Sequence, residues 1–167
     1  GSGFLCYDLL RYADYLPQDF QKTLNYLCLD LRPFPGVEEN LPSTPDRALD
    51  RLVATNLPLK PLEGCIVSNE LFDTFPVHRV QMQNGKLKEI YVTLEGEQLK
   101  EYLDQPSTTA LEDRLNKLDI NLLEGNSGEI NLFIEDWIEE AVNVLDRGYI
   151  LTIDYGSEAA ELYSQKK

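Results

Sequence analysis

Apolar positions along this chain follow two spacings. Leu5, Leu9, Tyr12 and Ala13 fall near the helical repeat and Pro17 follows as a stop, so the first element is expected to be a helix. Three other stretches are short and almost unbroken in their apolarity. Leu24 to Asp30, Gly64 to Glu70 and Tyr149 to Asp154 each read as a strand closed by an acid. Phe133, Trp137, Ala141 and Leu145 recur every four residues, which predicts a helix with Gly148 as its C-terminal cap. Leu111, Leu115 and Leu118 mark another helix, with Ser107 or Thr108 as its cap.

Turn residues punctuate these runs. Pro33, Pro35, Gly36, Pro42 and Pro45 make residues 33–45 a loop. Thr44 before Pro45 resembles a helix cap with proline at the first helical position. A short helix through Ala48, Leu49, Leu52 and Val53 is expected to follow, ended by Pro58 and Pro61. Asn84-Gly85 sits between His78-Arg79-Val80-Gln81-Met82 and Leu87-Lys88-Glu89-Ile90-Tyr91-Val92. Both residues tolerate positive φ, so this is a hairpin signal. Residues 125–128, from Gly125 to Gly128, read as a loop.

Strands this apolar imply burial on both faces, and helices flank each of them. The expected class is therefore α/β, with a parallel sheet covered by helices. Ligands of such sheets bind beyond the carboxyl ends of the strands. Those ends carry Asp30, Asn69-Glu70 and Asp154, so three acidic termini are expected along one edge of the sheet.

Composition narrows the partners. The chain has 167 residues, 43% of them apolar, which suffices for a real core. Fifteen Lys and Arg face 29 Asp and Glu, a formal charge of −14. That charge repels nucleic acid and anionic membranes; it suits cationic ligands or serves solubility. No run reaches the roughly 20 apolar residues of a membrane span, and no signal peptide is visible. Cys6, Cys28 and Cys65 are widely spaced in apolar runs. They read as buried reduced thiols of an intracellular protein, not as disulfides or zinc ligands.

Candidate chemistry gathers at the strand ends. Gly1-Ser2-Gly3 before the first helix would let a backbone approach an anionic group. Asp30 at the next strand end could accept two ribose hydroxyls, or could be a turn or helix-cap residue. A glycine turn with nothing before it reads equally as a truncated fold or as an expression scar. Asn69, Glu70 and Asp73 lie where a reacting group would sit in a nucleotide-binding fold; alternatively, Asn69 caps the following helix and Asp73 favours its start. Asp154-Tyr155-Gly156 fits either the active edge or a strand-ending turn. His78, the single histidine, reads as structural, and Trp137 as core. Glu135-Asp136 and Glu139-Glu140 read as a solvated helix face. No Gly-x-Ser-x-Gly elbow is present, and Cys65 lacks a nearby activator.

Asn69-Glu70-Leu71-Phe72-Asp73-Thr74-Phe75-Pro76-Val77 resembles the Asn-Glu-x-x-Asp-x-x-Pro-Val signature of the MidA family. These are class I S-adenosylmethionine-dependent methyltransferases, related to the mitochondrial arginine methyltransferase that assists complex I assembly. Gly1-Ser2-Gly3 with Leu5, Asp8 and Leu10-Arg11 resembles the family's glycine motif and first helix. Gly128-Glu129, Trp137, Gly148 and Ile153-Asp154-Tyr155-Gly156 resemble its later half. The similarity covers essentially the whole chain. The family's first strand and its tail beyond Lys167 are not in this sequence, so the chain is expected to be an internal piece of a longer protein.

The resemblance implies a Rossmann-like three-layer sandwich, truncated at both ends, with a hairpin-plus-helix insertion. Residues 1–76 and 129–167 would form the methyltransferase core, and 77–128 an inserted lid or partner-contacting subdomain, with a homodimer contact as the alternative. It implies S-adenosylmethionine as cofactor, held by Gly1, Ser2, Gly3, Asp30 and Asn69. Glu70 and Asp73 would be the catalytic carboxylates, facing an arginine of a partner protein such as a respiratory complex subunit. The expected location is the cytoplasm of a bacterium or the mitochondrial matrix of a eukaryote. A non-catalytic assembly module on the same fold is the competing reading. A nicotinamide-dependent oxidoreductase is disfavoured because no hydride-transfer constellation is present.

Overall fold

The computed structural model describes residues 4–30, 49–53, 57 and 61–163. The chain divides into two compact units, Gly1–Leu59 and Lys60–Lys167.

In the first unit, helix α1 (Phe4–Tyr12) runs into a 3₁₀ turn (Ala13–Tyr15), and helix α2 (Gln18–Thr23) starts just after Pro17. The expected helix is present and ends before Pro17, but its buried stripe is Cys6, Leu10 and Ala13, while Leu5, Leu9 and Tyr12 of the expected stripe are exposed. Strand β1 (Tyr26–Asp30) pairs in parallel with β2 (Leu49–Val53), from Tyr26 opposite Leu49 to Asp30 opposite Val53. Burial pushes the Tyr26 phenol up to about 12, and the nearby Cys6 and Cys28 add to the rise. Residues 49–53 were expected to be helical and instead form a strand. Leu49, Leu52 and Val53 suit either spacing over so short a stretch, and pairing with β1 decides for the strand. Gly1, Ser2 and Gly3, the loop at 33–45, the Thr44-Pro45 cap and Ala48 lie outside the described residues.

The second unit holds a parallel pair and an antiparallel sheet. Strand β3 (Leu62–Asn69) pairs with β8 (Leu145–Ile153), from Gly64 opposite Gly148 to Asn69 opposite Ile153. Strands β4 (His78–Gln83), β5 (Lys86–Glu95), β6 (Gln98–Asp104) and β7 (Ser127–Ile130) form a sheet in the order β6-β5-β4-β7. The expected hairpin is present, with Asn84 at φ 53 and Gly85 at φ 67 in the turn. Its tip is clasped by Glu124, whose carboxylate accepts from the Asn84 and Gly85 amides at 2.7 and 3.0 Å.

Helix α3 (Ala110–Lys117) packs Leu111 and Leu115 onto this sheet with Val80, Leu87, Leu122 and Ile130. The helix is capped at Thr109, not at Ser107 or Thr108, although Thr108 Oγ1 accepts from the Ala110 amide just ahead of it. Asp119 at φ 54 ends the helix, with the Ile120 amide on the Leu115 carbonyl and the Asp119 amide on that of Asn116. Leu118, expected on the buried stripe, falls on that cap and is exposed. Helix α4 (Phe133–Val144) starts where Asn131 Oδ1 accepts from the Phe133 and Ile134 amides. Helix α5 (Ala159–Leu162) leads to Tyr163, whose ring covers Gly128 and whose hydroxyl donates to the Glu129 carbonyl.

Four expectations change here. Gly148 does not cap α4; the helix ends at Val144 and Gly148 lies inside β8. A side chain there would collide with the Gly64 backbone, so close approach is why glycine occupies it. Gly128 sits in β7 rather than in a loop, paired with Val80. The β3–β8 pair is not buried on both faces: Ser68 is buried and Ile66 and Ile150 are half-buried, while Cys65, Tyr149, Leu151 and Ile153 are exposed. Among the described residues this pair has no third strand. Cys65 is thus an exposed thiol and Cys28 a half-buried one; none of the three cysteines forms a disulfide.

Glu89 sits 6% exposed on the core face of β5. It lies 2.7 Å from His78 Nδ1 and accepts from Tyr91 Oη and the Ser107 amide at 2.9 and 2.6 Å. Burial alone would raise its pKa. The hydrogen bonds from His78, Ser107 and Tyr91 outweigh burial and bring it from 4.5 down to about 2. The stabilisation is therefore complete above the unfolded value and lost as the pH falls from about 4.5 to about 2. It amounts to about 3 kcal/mol. In chemical denaturation, Glu89→Gln should lower stability by about that much at neutral pH. Across the acid window its stability should fall less steeply than the parent's; parallel curves would remove Glu89 from the acid response.

Candidate functional site

The carboxyl ends of β3 and β8 lie side by side, and Ser68, Asn69, Glu70, Asp73, Asp154 and Tyr155 gather there. Ser68 Oγ is 3.1 Å from Thr152 Oγ1 across the pair. One residue further, Asn69 stands exposed opposite Ile153. Glu70 then leaves the strand at φ 47, in the left-handed region. A residue with a Cβ enters that region at a cost of about 1–2 kcal/mol. The Glu70 amide donates to the Ile153 carbonyl at 2.8 Å, which fixes this backbone, and the side chain is exposed at the rim.

The next turn is tied to the end of β8 twice more. Asp154 Oδ2 accepts from the Phe72 amide at 3.0 Å, and Asp154 Oδ1 from the Tyr155 amide at 2.9 Å. Tyr155 Oη donates to Asp73 Oδ2 at 3.0 Å. The Tyr155 phenol is held above its ordinary range, first by the hydrogen bond to Asp73 and the Asp73 charge. Burial and the Asp154 and Glu70 carboxylates add to this. It is therefore a neutral donor at neutral pH. From below, Phe72 packs edge-on against Trp137 at 5.2 Å and Phe75 at 5.6 Å. Trp137 is thus a half-buried support of the turn rather than the core residue that its helical spacing suggested.

The structure therefore brings Asn69, Glu70 and Asp73 onto one rim with Asp154 and Tyr155. Asp30 stands at the carboxyl end of β1 in the first unit. Asn69 is not a helix cap: a 3₁₀ turn, Phe72–Thr74, replaces the helix expected after it, and the amide of its first residue bonds to Asp154. Asp154 and Tyr155 stood open between an active edge and a simple turn. The signal that pointed to them was the acid closing the third apolar run. His78 and Glu89 belong to the antiparallel sheet and brace its core. Glu135 lies on the α4 surface, where it pairs with Arg114 and Lys117 of α3, so that solvated face also joins the two helices.

The profile of a protein family described as "Putative S-adenosyl-L-methionine-dependent methyltransferase" matches residues 1–167, the whole chain. This chain belongs to that methyltransferase family. Among solved structures, this chain is similar to a COG1565 superfamily member from Burkholderia thailandensis bound to S-adenosyl-homocysteine. The TM-score is 0.81 at 24% identity, covering 99% of this chain and 42% of that one. A native structure of a COG1565 superfamily protein from the same organism gives a TM-score of 0.76, also at 24% identity, over 99% and 44% of the two chains. These likenesses bear on the fold and agree with the expected α/β class. This chain spans a little over two-fifths of the length of those solved chains. No curated protein matches it. Among the described residues, no helix is long and apolar enough to cross a membrane.

Proposed function

We propose that this chain is part of a methyltransferase of the MidA type that transfers the methyl group of S-adenosylmethionine to an arginine of a protein substrate, as in the assembly of a respiratory complex. The observation that carries this reading is Glu70, an exposed carboxylate in a strained backbone at the joined carboxyl ends of two parallel strands.

The available groups suit such a cofactor and acceptor. Asn69 offers an amide oxygen at the rim, an acceptor for an ammonium group. In the first unit, Asp30 ends β1 with a carboxylate, a group that accepts ribose hydroxyls. When bound, the cofactor would supply a methyl group on a positively charged sulfur. The acceptor nitrogen forms the new N–C bond as the C–S bond breaks; the electron pair goes to sulfur, and the nitrogen then loses a proton. Such a displacement depends on alignment more than on acid strength. Glu70 would orient the guanidinium and hold the charge that it carries.

Titrating the complete protein with S-adenosylmethionine in a calorimeter tests the reading. Saturable binding is expected for the complete protein, with weaker or no binding by residues 1–167 alone. Absence of binding by both would turn the interpretation to a non-catalytic assembly module.

A further inference from the structure

We propose that Asp73, Asp154 and Tyr155 are positioning residues whose task is to hold Glu70 in its left-handed conformation, and that Asp73 does not itself act on the acceptor. This rests on the methyl-transfer reading and assigns the parts of that site.

Three hydrogen bonds join residues 70–73 to residues 153–155, one after another along both segments. The Glu70 amide reaches the Ile153 carbonyl, the Phe72 amide reaches Asp154 Oδ2, and Tyr155 Oη reaches Asp73 Oδ2, at 2.8, 3.0 and 3.0 Å. Both oxygens of Asp154 are engaged by backbone amides, since Oδ1 takes the Tyr155 amide. Asp73 is also exposed, but one of its oxygens is held by Tyr155. Glu70 is tied to the other segment through its amide, and its carboxylate stands exposed at the rim.

The backbone of Glu70 explains why a clamp is needed. A glutamate released from such a turn relaxes to negative φ, which swings its side chain to a different direction. A carboxylate that must meet a guanidinium in one orientation gains from being held before the substrate arrives. The clamp is built from the two segments that resemble the MidA signature blocks, Asn69 to Val77 and Ile153 to Gly156. Their hydrogen bonds give those blocks a joint physical role.

Four variants of the complete protein separate positioning from direct action: Tyr155→Phe, Asp73→Ala, Asp73→Asn and the Tyr155→Phe/Asp73→Ala double variant. Three quantities are read: amide hydrogen exchange over residues 70–73 against 62–68, the calorimetric affinity for S-adenosylmethionine, and the rate of labelled methyl transfer into an extract of cells lacking the protein. Tyr155→Phe and Asp73→Ala should each speed exchange at 70–73, and not at 62–68, and should slow transfer about tenfold with cofactor affinity little changed. Asp73→Asn keeps an acceptor oxygen for Tyr155 and should behave as the parent. The double variant should be no slower than the single ones.

The proposal is overturned if Asp73→Asn slows transfer as much as Asp73→Ala while exchange stays protected, because the charge would then act directly. It is also overturned if Tyr155→Phe loosens 70–73 without slowing transfer, or fails to loosen it. A parent protein that neither binds S-adenosylmethionine nor transfers methyl groups would instead sink the functional reading, and the exchange data would still decide whether the clamp exists.

Discussion

Gly148→Ala is expected to prevent β3 and β8 from pairing. In the register row Gly64–Gly148, a Cβ on residue 148 would overlap the Gly64 carbonyl oxygen and lie 2.7 Å from the Gly64 carbonyl carbon and 3.0 Å from its nitrogen. All three atoms are backbone, so the collision is relieved only by moving a strand. Gly148 also has φ 149, a conformation that residues with a Cβ rarely adopt. Overpacking a side chain into a core commonly costs about 1–3 kcal/mol, and a clash with fixed backbone should exceed that, at roughly 4 kcal/mol or more. Thermal denaturation of the variant checks this; melting within a few degrees of the parent would refute it. Gly64→Ala is the matched control. Its φ of 155 is similarly unusual, but a Cβ there meets nothing within 4 Å, so its loss should be smaller. Because β3 and β8 together carry Asn69, Glu70, Asp154 and Tyr155, Gly148→Ala should also abolish cofactor binding by the complete protein.

Glu70→Gln should have the opposite profile, a folded protein that does not transfer methyl groups. The amide replaces a carboxylate of the same shape, and the Glu70 side chain is exposed, so little packing changes. The backbone bond to Ile153 is untouched by the substitution. What disappears is the negative charge that would face the guanidinium. Loss of one aligned electrostatic contact in an active site typically slows chemistry by about 10² to 10³, which is about 3–4 kcal/mol of barrier. The checks are the initial rate of methyl transfer by the complete protein and an unchanged melting temperature. Normal turnover would remove Glu70 from the mechanism, whatever the structure around it.

The contrast between these variants reflects two kinds of glycine and acid. Gly148 and Glu70 both sit at backbone angles uncommon for residues with side chains, yet one is structural and the other stands at the candidate site. Sequence spacing read Gly148 as a helix cap because it follows an apolar stripe at the right distance. It could not show that Gly64, more than eighty residues earlier, would lie opposite it. The same limit hid β2. Leu49, Leu52 and Val53 fit a helical stripe, and only the neighbouring Tyr26–Asp30 strand made them extended.

Local chemistry was more legible than pairing. The Asn84-Gly85 hairpin, the first helix with its stop before Pro17, and the three apolar runs closed by acids follow from turn preferences and periodicity, although the face of α1 that is buried is Cys6 and Leu10 rather than Leu5 and Leu9. These need no distant partner. The acids at the ends of β3 and β8 were expected to share an edge, and Asp154 does meet the turn that carries Glu70 and Asp73. The sequence by itself determined that carboxylates would close the strands and which blocks resembled a methyltransferase signature, because both are properties of neighbouring residues. Only the tertiary structure decided that Asp154 and Tyr155 would bind the Glu70 turn and that Glu89 would be buried among His78, Tyr91 and Ser107. Hydrogen bonds between segments far apart in the chain exist only once the strands have paired.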